Sequence, residues 1–312
     1  MDKVAILMAT YNGEAYLQEQ IESILEQSCK KWTLFIRDDN STDTTPLIID
    51  KYQKRYNNIH IIKDTNNANS AEKNFIYLLN HVKNNYINEF EYFMFSDQDD
   101  YWLDSKINDT ICLLKKRENN RVPILVHTDL EVVDANLNTS FNSYVRMRSL
   151  NPTEKRLNRL LVQNNITGCT MLWNKSLMEK IDFDLENVAM HDWWIGLIAC
   201  LFGEVLFLEK TTIKYRQHGA NVVGATKTNS LRFVFNRLIK TNRAKVTIKK
   251  SIAQAIALKS VYSKELTKND LIILNEYISI RGKFKINRWL TIFKYGFFKQ
   301  GIIQNIGQLI FI

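Results

Sequence analysis

The sequence predicts an α/β fold: a mostly parallel sheet with helices on both faces, followed by a basic helical C-terminal region. Three observations carry that expectation. Short continuous apolar runs alternate with stretches of helical periodicity over the first half of the chain, as expected for doubly buried strands joined by crossover helices. Polar clusters follow the first, second and fourth runs, at the sheet edge where open α/β sheets bind ligands. Charge is also divided. The 312 residues carry +9, yet residues 1–230 hold 26 basic and 30 acidic side chains, a net −4, while residues 231–312 hold 16 basic and three acidic, a net +13.

The elements follow in order. Val4–Thr10 is a continuous apolar run that ends in Tyr11-Asn12-Gly13-Glu14 and reads as the first strand. Leu17, Ile21, Ile24 and Leu25 then fall at helical spacing. Residues 32–37 form a second strand, closed by Asp38-Asp39-Asn40-Ser41, and the segment after Thr44 is helical through Arg55. Residues 59–63 are a third strand, and Phe75, Leu78, Leu79 and Val82 mark the helix after it. Residues 91–96 are a fourth strand ending in Asp97-Gln98-Asp99-Asp100, residues 106–117 are helical, and 124–128 are a fifth strand. Beyond Asp129 the alternation weakens, with short strands expected at 169–173 and 205–208. From Leu231 the pattern is helical and basic, which divides a domain 1–230 from a region 231–312.

Composition excludes wholesale disorder: the chain is 45% hydrophobic and 24% charged, with three Pro. The four cysteines form no CxxC and sit at no zinc-site spacing, which points to a reducing cytoplasm. The start has no signal-peptide pattern. Residues 193–208 are apolar but too short for a membrane span and interrupted by Glu204, so a buried helix followed by a buried strand is expected. None of the ten glycines lies two residues from another, so G-x-G-x-x-G is absent. Gly219 and Gly224 have phosphate-loop spacing, but Ala225-Thr226 follows where the lysine should stand. H-E-x-x-H and G-x-S-x-G are missing as well. A nucleotide bound on such a sheet would need its phosphates neutralised by a carboxylate-held metal.

The acidic turns suit that role. Three carboxylates within Asp97-Gln98-Asp99-Asp100 repel one another unless a cation or solvent relieves them. On an extended segment Asp97 and Asp99 point the same way, and hard oxygen ligands favour Mg²⁺ or Mn²⁺. The alternative is a solvated turn with helix-capping Asp. The same pair of readings applies to Asp38-Asp39-Asn40-Ser41-Thr42-Asp43, where Ser41, Thr42 or Asp43 could cap the following helix.

The stretches VAILMATYNGEAYLQEQIESIL, FIRDDNSTD, FSDQDDYW and HDWW, followed by YRQHGANVVGA, resemble the family 2 glycosyltransferases with the Rossmann-like GT-A fold. The forms F-S-D-Q-D-D-Y-W and H-D-W-W are most similar to the bacterial rhamnosyltransferase branch. One departure is Asn66-Asn67-Ala68-Asn69-Ser70, where the resemblance leads to a glycine. By position, the resemblance implies that Thr10, Tyr11, Glu14 and Lys73 lie around the nucleotide. Asp38 or Asp39 would meet the base. Asp97 and Asp99 would form the D-x-D, with Asp99 the direct ligand of the metal and Asp97 beside it and the nucleotide. Asp192 would be the general base of an inverting transfer, although it could equally cap the helix it precedes. His218 is a third metal-ligand candidate or a hydrogen-bonded loop histidine. Arg216 could meet a phosphate as a charged fork. Trp193 and Trp194 are candidates for acceptor binding, with core packing as the alternative.

The implied function is metal-dependent, inverting transfer of L-rhamnose from dTDP-L-rhamnose to a glycan or polyprenyl-diphosphate-linked acceptor in O-antigen or capsule synthesis. A UDP-hexose donor is one alternative, and a non-catalytic membrane-docking protein on the same fold is another. The tail alternates cations with large apolar residues, as in Arg232-Phe233-Val234-Phe235 and Lys285-Ile286-Asn287-Arg288-Trp289-Leu290. Basic amphipathic helices of this kind lie on anionic membrane surfaces. The expected location is therefore cytoplasmic, peripheral on the inner face of the bacterial plasma membrane. A helical cap and a homodimer interface are the competing uses of the tail. No nucleic-acid partner is expected, because no recognition motif accompanies the charge.

Overall fold

The computed structural model describes residues 2–63, 67–119, 122–184, 186–218 and 241–312, with side chains in the last segment from Val246 onward. The Gly219/Gly224 spacing, Asn66, Arg232-Phe233-Val234-Phe235 and the boundary at 230/231 lie outside the described residues.

The strands are β1 (Val4–Thr10), β2 (Trp32–Asp38), β3 (Ile59–Ile61), β4 (Tyr92–Ser96), β5 (Tyr101–Trp102), β6 (Ile124–Val133), β7 (Thr139–Phe141), β8 (Leu172–Asn174) and β9 (Glu204–Arg216). They form one sheet in the order β3-β2-β1-β4-β8-β6-β9-β5, with β7 on β6. β1 pairs in parallel with both β2 and β4, β2 with β3, and β6 with β9. β8 runs antiparallel between β4 and β6. From β1 the chain moves outward to β2 and β3, then returns to β4 on the other side of β1. That reversal opens a crevice at the carboxyl ends of β1 and β4.

All seven residues of β1 are buried. Ala5, Leu7 and Ala9 enter one apolar core, and Val4, Ile6 and Met8 the other, as the twofold side-chain alternation of a strand requires. Helices α1 (Leu17–Leu25), α2 (Thr45–Arg55) and α4 (Lys106–Lys115) cover the second face. On the first face lie α3 (Ala71–Tyr86), α6 (Leu157–Leu160), α7 (Lys175–Lys180) and α8 (His191–Phe202). The short α5 (Tyr144–Arg148) packs beside β6.

Several expected strand bounds need correction: the strand expected at 169–173 is β8, Leu172–Asn174, preceded by a 3₁₀ turn over Gly168–Thr170. The last strand was expected to end at Leu208, but β9 continues to Arg216. Glu209 and Lys210 fall at an irregularity in the β6 register, after which pairing resumes with β6 from Thr211 and with β5 at Ile213 and Lys214. The first residues of β9 are half-buried, not buried. The fifth strand likewise extends from Ile124 to Val133. No helix among the described residues is long and apolar enough to cross a membrane.

The C-terminal helices are α9 (Thr241–Val261), α10 (Lys268–Ser279), α11 (Lys285–Tyr295) and α12 (Ile302–Phe311). Ile252, Leu258, Tyr262, Leu274, Tyr277 and Phe297 share one apolar core with α3 and α8. The Tyr262 hydroxyl accepts from Asp182 N at 2.9 Å and donates to Lys180 O. Gln254 Oε1 accepts from Ala189 N at 3.0 Å. α9 and α10 thus act as a cap on the body of the protein.

Candidate active site

The crevice between β1 and β4 is built by local hydrogen bonds. β1 and β2 end in register, Thr10 opposite Asp38, and Thr10 Oγ1 donates to Asp38 Oδ1 at 2.8 Å. Asp38 also accepts from Ser41 Oγ and Ser41 N. Asn12 and Asn40 turn the two loops with φ of 46° and 60°, a conformation that Asn tolerates. Asn74 joins both strand ends, donating to Thr10 O and accepting from Arg37 Nη1 at 2.7 Å.

Asp39 faces the loop before α3. Its carboxylate accepts from Ala68 N at 2.6 Å and Asn69 N at 2.9 Å, beside Arg37. Asn69, within the 66–70 stretch where the resemblance leads to a glycine, adopts φ 57°, a left-handed conformation that Asn tolerates. Glu14 lies farther out. It accepts from Thr44 N and Oγ1, while Asp43 accepts from Thr45 N and Glu14 N. These two carboxylates satisfy the start of α2. Tyr11 and Lys73 are exposed at the rim, Lys73 in the first turn of α3.

The turn after β4 carries the acidic cluster. Gln98 points away from its neighbours and pairs with the Tyr11 main chain in both directions, Tyr11 N to Oε1 at 2.9 Å and Nε2 to Tyr11 O at 3.0 Å. Sequence reasoning missed Gln98; it also expected an extended segment aiming Asp97 and Asp99 together, whereas residues 98 and 99 form a bend and Asp97 gathers with Asp100 and Cys169. The next residues, β5, pair antiparallel with β9: Tyr101 opposite Lys214 and Trp102 opposite Ile213. This register carries the end of β9 to the acidic turn. His218 Nε2 stands 2.7 Å from Asp99 Oδ2, and Tyr16, also missed, packs its ring at 4.9 Å from the imidazole.

Arg216 is buried. Its fork meets Asp99 O, Ala135 O and Glu19 Oε2, its N–H meets Asp100 Oδ1 at 3.3 Å, and it lies over the Tyr16 ring. The phosphate-binding role considered for Arg216 is therefore replaced by a clamp between β9 and the acidic turn.

Asp192 sits in the first turn of α8, whose N-cap is Met190, so it is not the cap itself. Its carboxylate accepts from Gly168 N at 3.1 Å and Trp193 N at 2.6 Å. Burial nevertheless pushes it up to about 6. His191 beside it is buried, stacked on Phe75 at 4.3 Å, and held neutral by burial with its pKa lowered to about 3. The 3₁₀ turn Gly168–Thr170 bridges the two acidic regions. Gly168 holds Asp192, while the thiol of Cys169 and carboxylate oxygens of Asp97 and Asp100 lie within 4.8 Å of one another. Burial, then the charges of Asp99 and Asp192, pushes Asp97 up to about 7. Burial, then Asp97 and Asp99, holds Asp100 well above the carboxylate range. Behind them Lys106 is buried and lowered to about 8 by desolvation, 4.7 Å over the Trp102 ring.

Two candidate roles do not survive this geometry. Trp194 is 0% exposed and donates from Nε1 to Asp182 O at 2.8 Å. Trp193 is buried and donates to Leu160 O at 2.6 Å. Neither ring offers a face to an acceptor; both complete the core beneath Asp192.

The donor set can be tested against a metal. Asp97 and Asp99 are half-buried oxygen donors on one turn, and His218 adds an imidazole at hydrogen-bond distance from Asp99. Burial, and after it the charges of neighbouring carboxylates, raises the proton affinity of Asp97 and Asp100; a cation would relieve the charge repulsion. Oxygen donors with one imidazole fit Mg²⁺ or Mn²⁺. Asp100 and Cys169 are almost wholly buried, and a thiol held protonated by burial is a poor partner for these hard ions.

Residues 5–180 match the model of the family described as Glycosyl transferase family 2. The dTDP-rhamnosyl transferase RfbG of Shigella flexneri is 30% identical over 294 residues, covering 88% of this chain and 94% of that protein. An uncharacterized glycosyltransferase of Rickettsia typhi is 27% identical over 274 residues, covering 87% and 74% respectively. Among solved structures, S. aureus TarS 1-349 aligns with a TM-score of 0.56 at 17% identity, over 98% of this chain and 90% of that one. The same protein in complex with UDP gives a TM-score of 0.55 at 18% identity, over the same shares. These alignments identify the fold as GT-A.

Proposed function

The chain belongs to glycosyl transferase family 2, and on that premise we propose that it transfers L-rhamnose from dTDP-L-rhamnose, with inversion, to a glycan or polyprenyl-diphosphate-linked acceptor in cell-surface polysaccharide synthesis. The rhamnosyl donor is supported by the similarity to RfbG. One observation carries the mechanism: the turn Gly168–Thr170 joins the two acidic regions, with Gly168 N donating to Asp192 Oδ2 at 3.1 Å and the thiol of the next residue, Cys169, within 4.8 Å of carboxylate oxygens of Asp97 and Asp100. A candidate base and a candidate diphosphate site therefore share one crevice.

In this reading the nucleotide lies over the ends of β1 and β2, near Thr10, Tyr11 and Lys73. The carboxylate of Asp38 or Asp39 accepts from the base, and Glu14 acts at the outer edge. Asp97, Asp99 and His218 would hold Mg²⁺ or Mn²⁺, which supplies a Lewis acid for the departing diphosphate. Asp192 takes the proton from the acceptor hydroxyl as its oxygen attacks the anomeric carbon from the side opposite the leaving group. A carboxylate near 6 is ionised at neutral pH yet still basic enough for this task. Gly168 N–H and the first turn of α8 fix its orientation. A polyprenyl-diphosphate-linked acceptor and the net +13 of residues 231–312 support a peripheral position on the cytoplasmic face of the plasma membrane, with a homodimer interface as the competing use of the tail.

A donor screen with Mn²⁺ or Mg²⁺ tests the proposal. Transfer from dTDP-L-rhamnose is the expected result. Turnover of a UDP-hexose with none of dTDP-L-rhamnose would overturn the donor assignment and leave the family reading intact.

A further inference from the structure

α11 and α12 are turned outward. In an ordinary surface helix the apolar stripe faces the core. In α12 the buried side chains are Gln304 and Gln308, while Ile302, Ile306 and Ile310 face solvent at four-residue intervals. In α11 the buried residues are Thr291 and Ile292, whereas Ile286, Trp289, Leu290 and Phe293 form an exposed stripe at i, i+3, i+4 and i+7. Phe284, just before α11, is 87% exposed, and Ile302 is 81% exposed. The two helices are tied together, since Trp289 Nε1 donates to Leu309 O at 2.9 Å and Gln308 Nε2 to Phe297 O. They present one continuous apolar surface, larger than scattered exposed residues require.

Charge decides what covers it. From residue 277 to the end the chain has six Lys and Arg and no Asp or Glu. A groove of about 690 Å³ between the start of α11 and the end of α12 is lined by Lys283, Lys285 and Arg288 together with Phe284, Ile310 and Ile312. Cations beside an apolar floor match a phosphate headgroup carried on an acyl chain. A second copy docking through the same face by twofold symmetry would set these cations against their own kind.

We propose that the outward faces of α11 and α12, with Phe284, dock on an anionic lipid bilayer. Ile302, Ile306, Ile310, Leu290 and Phe293 enter the acyl boundary, and Lys285 and Lys294 meet headgroup phosphates. This deepens the peripheral location proposed above and rests on it. It also divides the tail: α9 and α10 cap the catalytic body, while α11 and α12 meet the membrane.

The test is flotation of the full chain with vesicles of phosphatidylcholine alone or mixed with phosphatidylglycerol. Wild type should bind the anionic vesicles, more weakly as salt rises, and bind the neutral ones poorly. The triple variant I302N/I306N/I310N should lose binding at least tenfold, and K285E/K294E should lose the preference for anionic lipid. Circular dichroism and sugar transfer to a soluble acceptor analogue, measured on the same samples, establish that each variant is folded. Lost vesicle binding with retained transfer supports the docking face. Unchanged binding by folded triple variant, or no binding of anionic vesicles by wild type, overturns it. So does a dimer, seen by sedimentation velocity, that the triple substitution breaks while vesicle binding persists. Absent transfer by wild type with intact vesicle binding would count against the proposed function and leave the docking face standing.

Discussion

His218 Nε2 lies 2.7 Å from Asp99 Oδ2, across 119 residues of chain. The pairing is a consequence of sheet register: β5 begins right after the acidic turn and is bonded to the last residues of β9. Arg216 fixes both sides through Asp99 O and Asp100. If this pair helps hold the divalent ion, His218→Ala should raise the Mn²⁺ concentration for half-maximal transfer by at least about tenfold. Activity should return at high Mn²⁺ with the donor KM little changed. A variant with unaltered Mn²⁺ dependence would return His218 to the role of a loop histidine.

If Asp192 is the base, it sets the acid limb of the pH profile. Asp192 is protonated below about 6 and ionised above it, and only the ionised form can accept a proton. At saturating Mn²⁺, kcat/KM should therefore rise as pH passes through about 6 and level off above 7. Further Mn²⁺ should leave the midpoint in place. A midpoint that keeps falling as Mn²⁺ rises would assign the limb to the cation ligands instead.

Gly168 offers a way to move the base without removing it. A Cβ built there would lie 3.0 Å from His191 Nε2 and 3.3 Å from Asp192 Cβ. Gly168→Ala should therefore shift Asp192 and lower kcat by up to about 100-fold, the usual cost of misplacing a catalytic group by about 1 Å. Donor KM should change little. Equal losses in donor binding and kcat would indicate a general collapse of the crevice.

Trp194→Phe separates packing from acceptor binding. It removes the hydrogen bond to Asp182 O and part of a fully buried ring. Urea denaturation should register a loss of about 1–3 kcal/mol, with acceptor KM unchanged. A selective rise in acceptor KM would restore the tryptophan to the binding surface.

Much of this was legible in the sequence because the signals are local. Strands buried on both faces must be apolar through their middles, and β1, β2 and β4 are so over residues 4–9, 34–36 and 92–95. Acidic turns at the ends of β2 and β4 can be read directly, and the fold brings both to the crevice. What escaped depends on partners distant in the chain. Residues 209–212 (Glu-Lys-Thr-Thr) look like a loop, but β9 runs through them: Glu209 and Lys210 fall at an irregularity in the β6 register, pairing resumes with Thr211 opposite Asp129, and Leu103 N donates to Thr212 O at 2.9 Å. Trp193 and Trp194 look like a platform beside the base, and only the positions of Leu160 O and Asp182 O reveal that both rings face inward. The outward isoleucines of α12 have ordinary helical periodicity, and only burial tells which side meets the body.

The proposed role of Asp192 is that of the base in a sugar transfer at the crevice between β1 and β4. The most direct measurement is single-turnover transfer from dTDP-L-rhamnose by Asp192→Asn, with donor affinity and thermal unfolding recorded on the same protein. Asn keeps the shape and can still accept from Gly168 N–H, but it cannot take a proton. The expected result is a fall in the transfer rate of about 10²–10⁴-fold, with donor binding and fold retained. Transfer near the wild-type rate by the folded variant would contradict it.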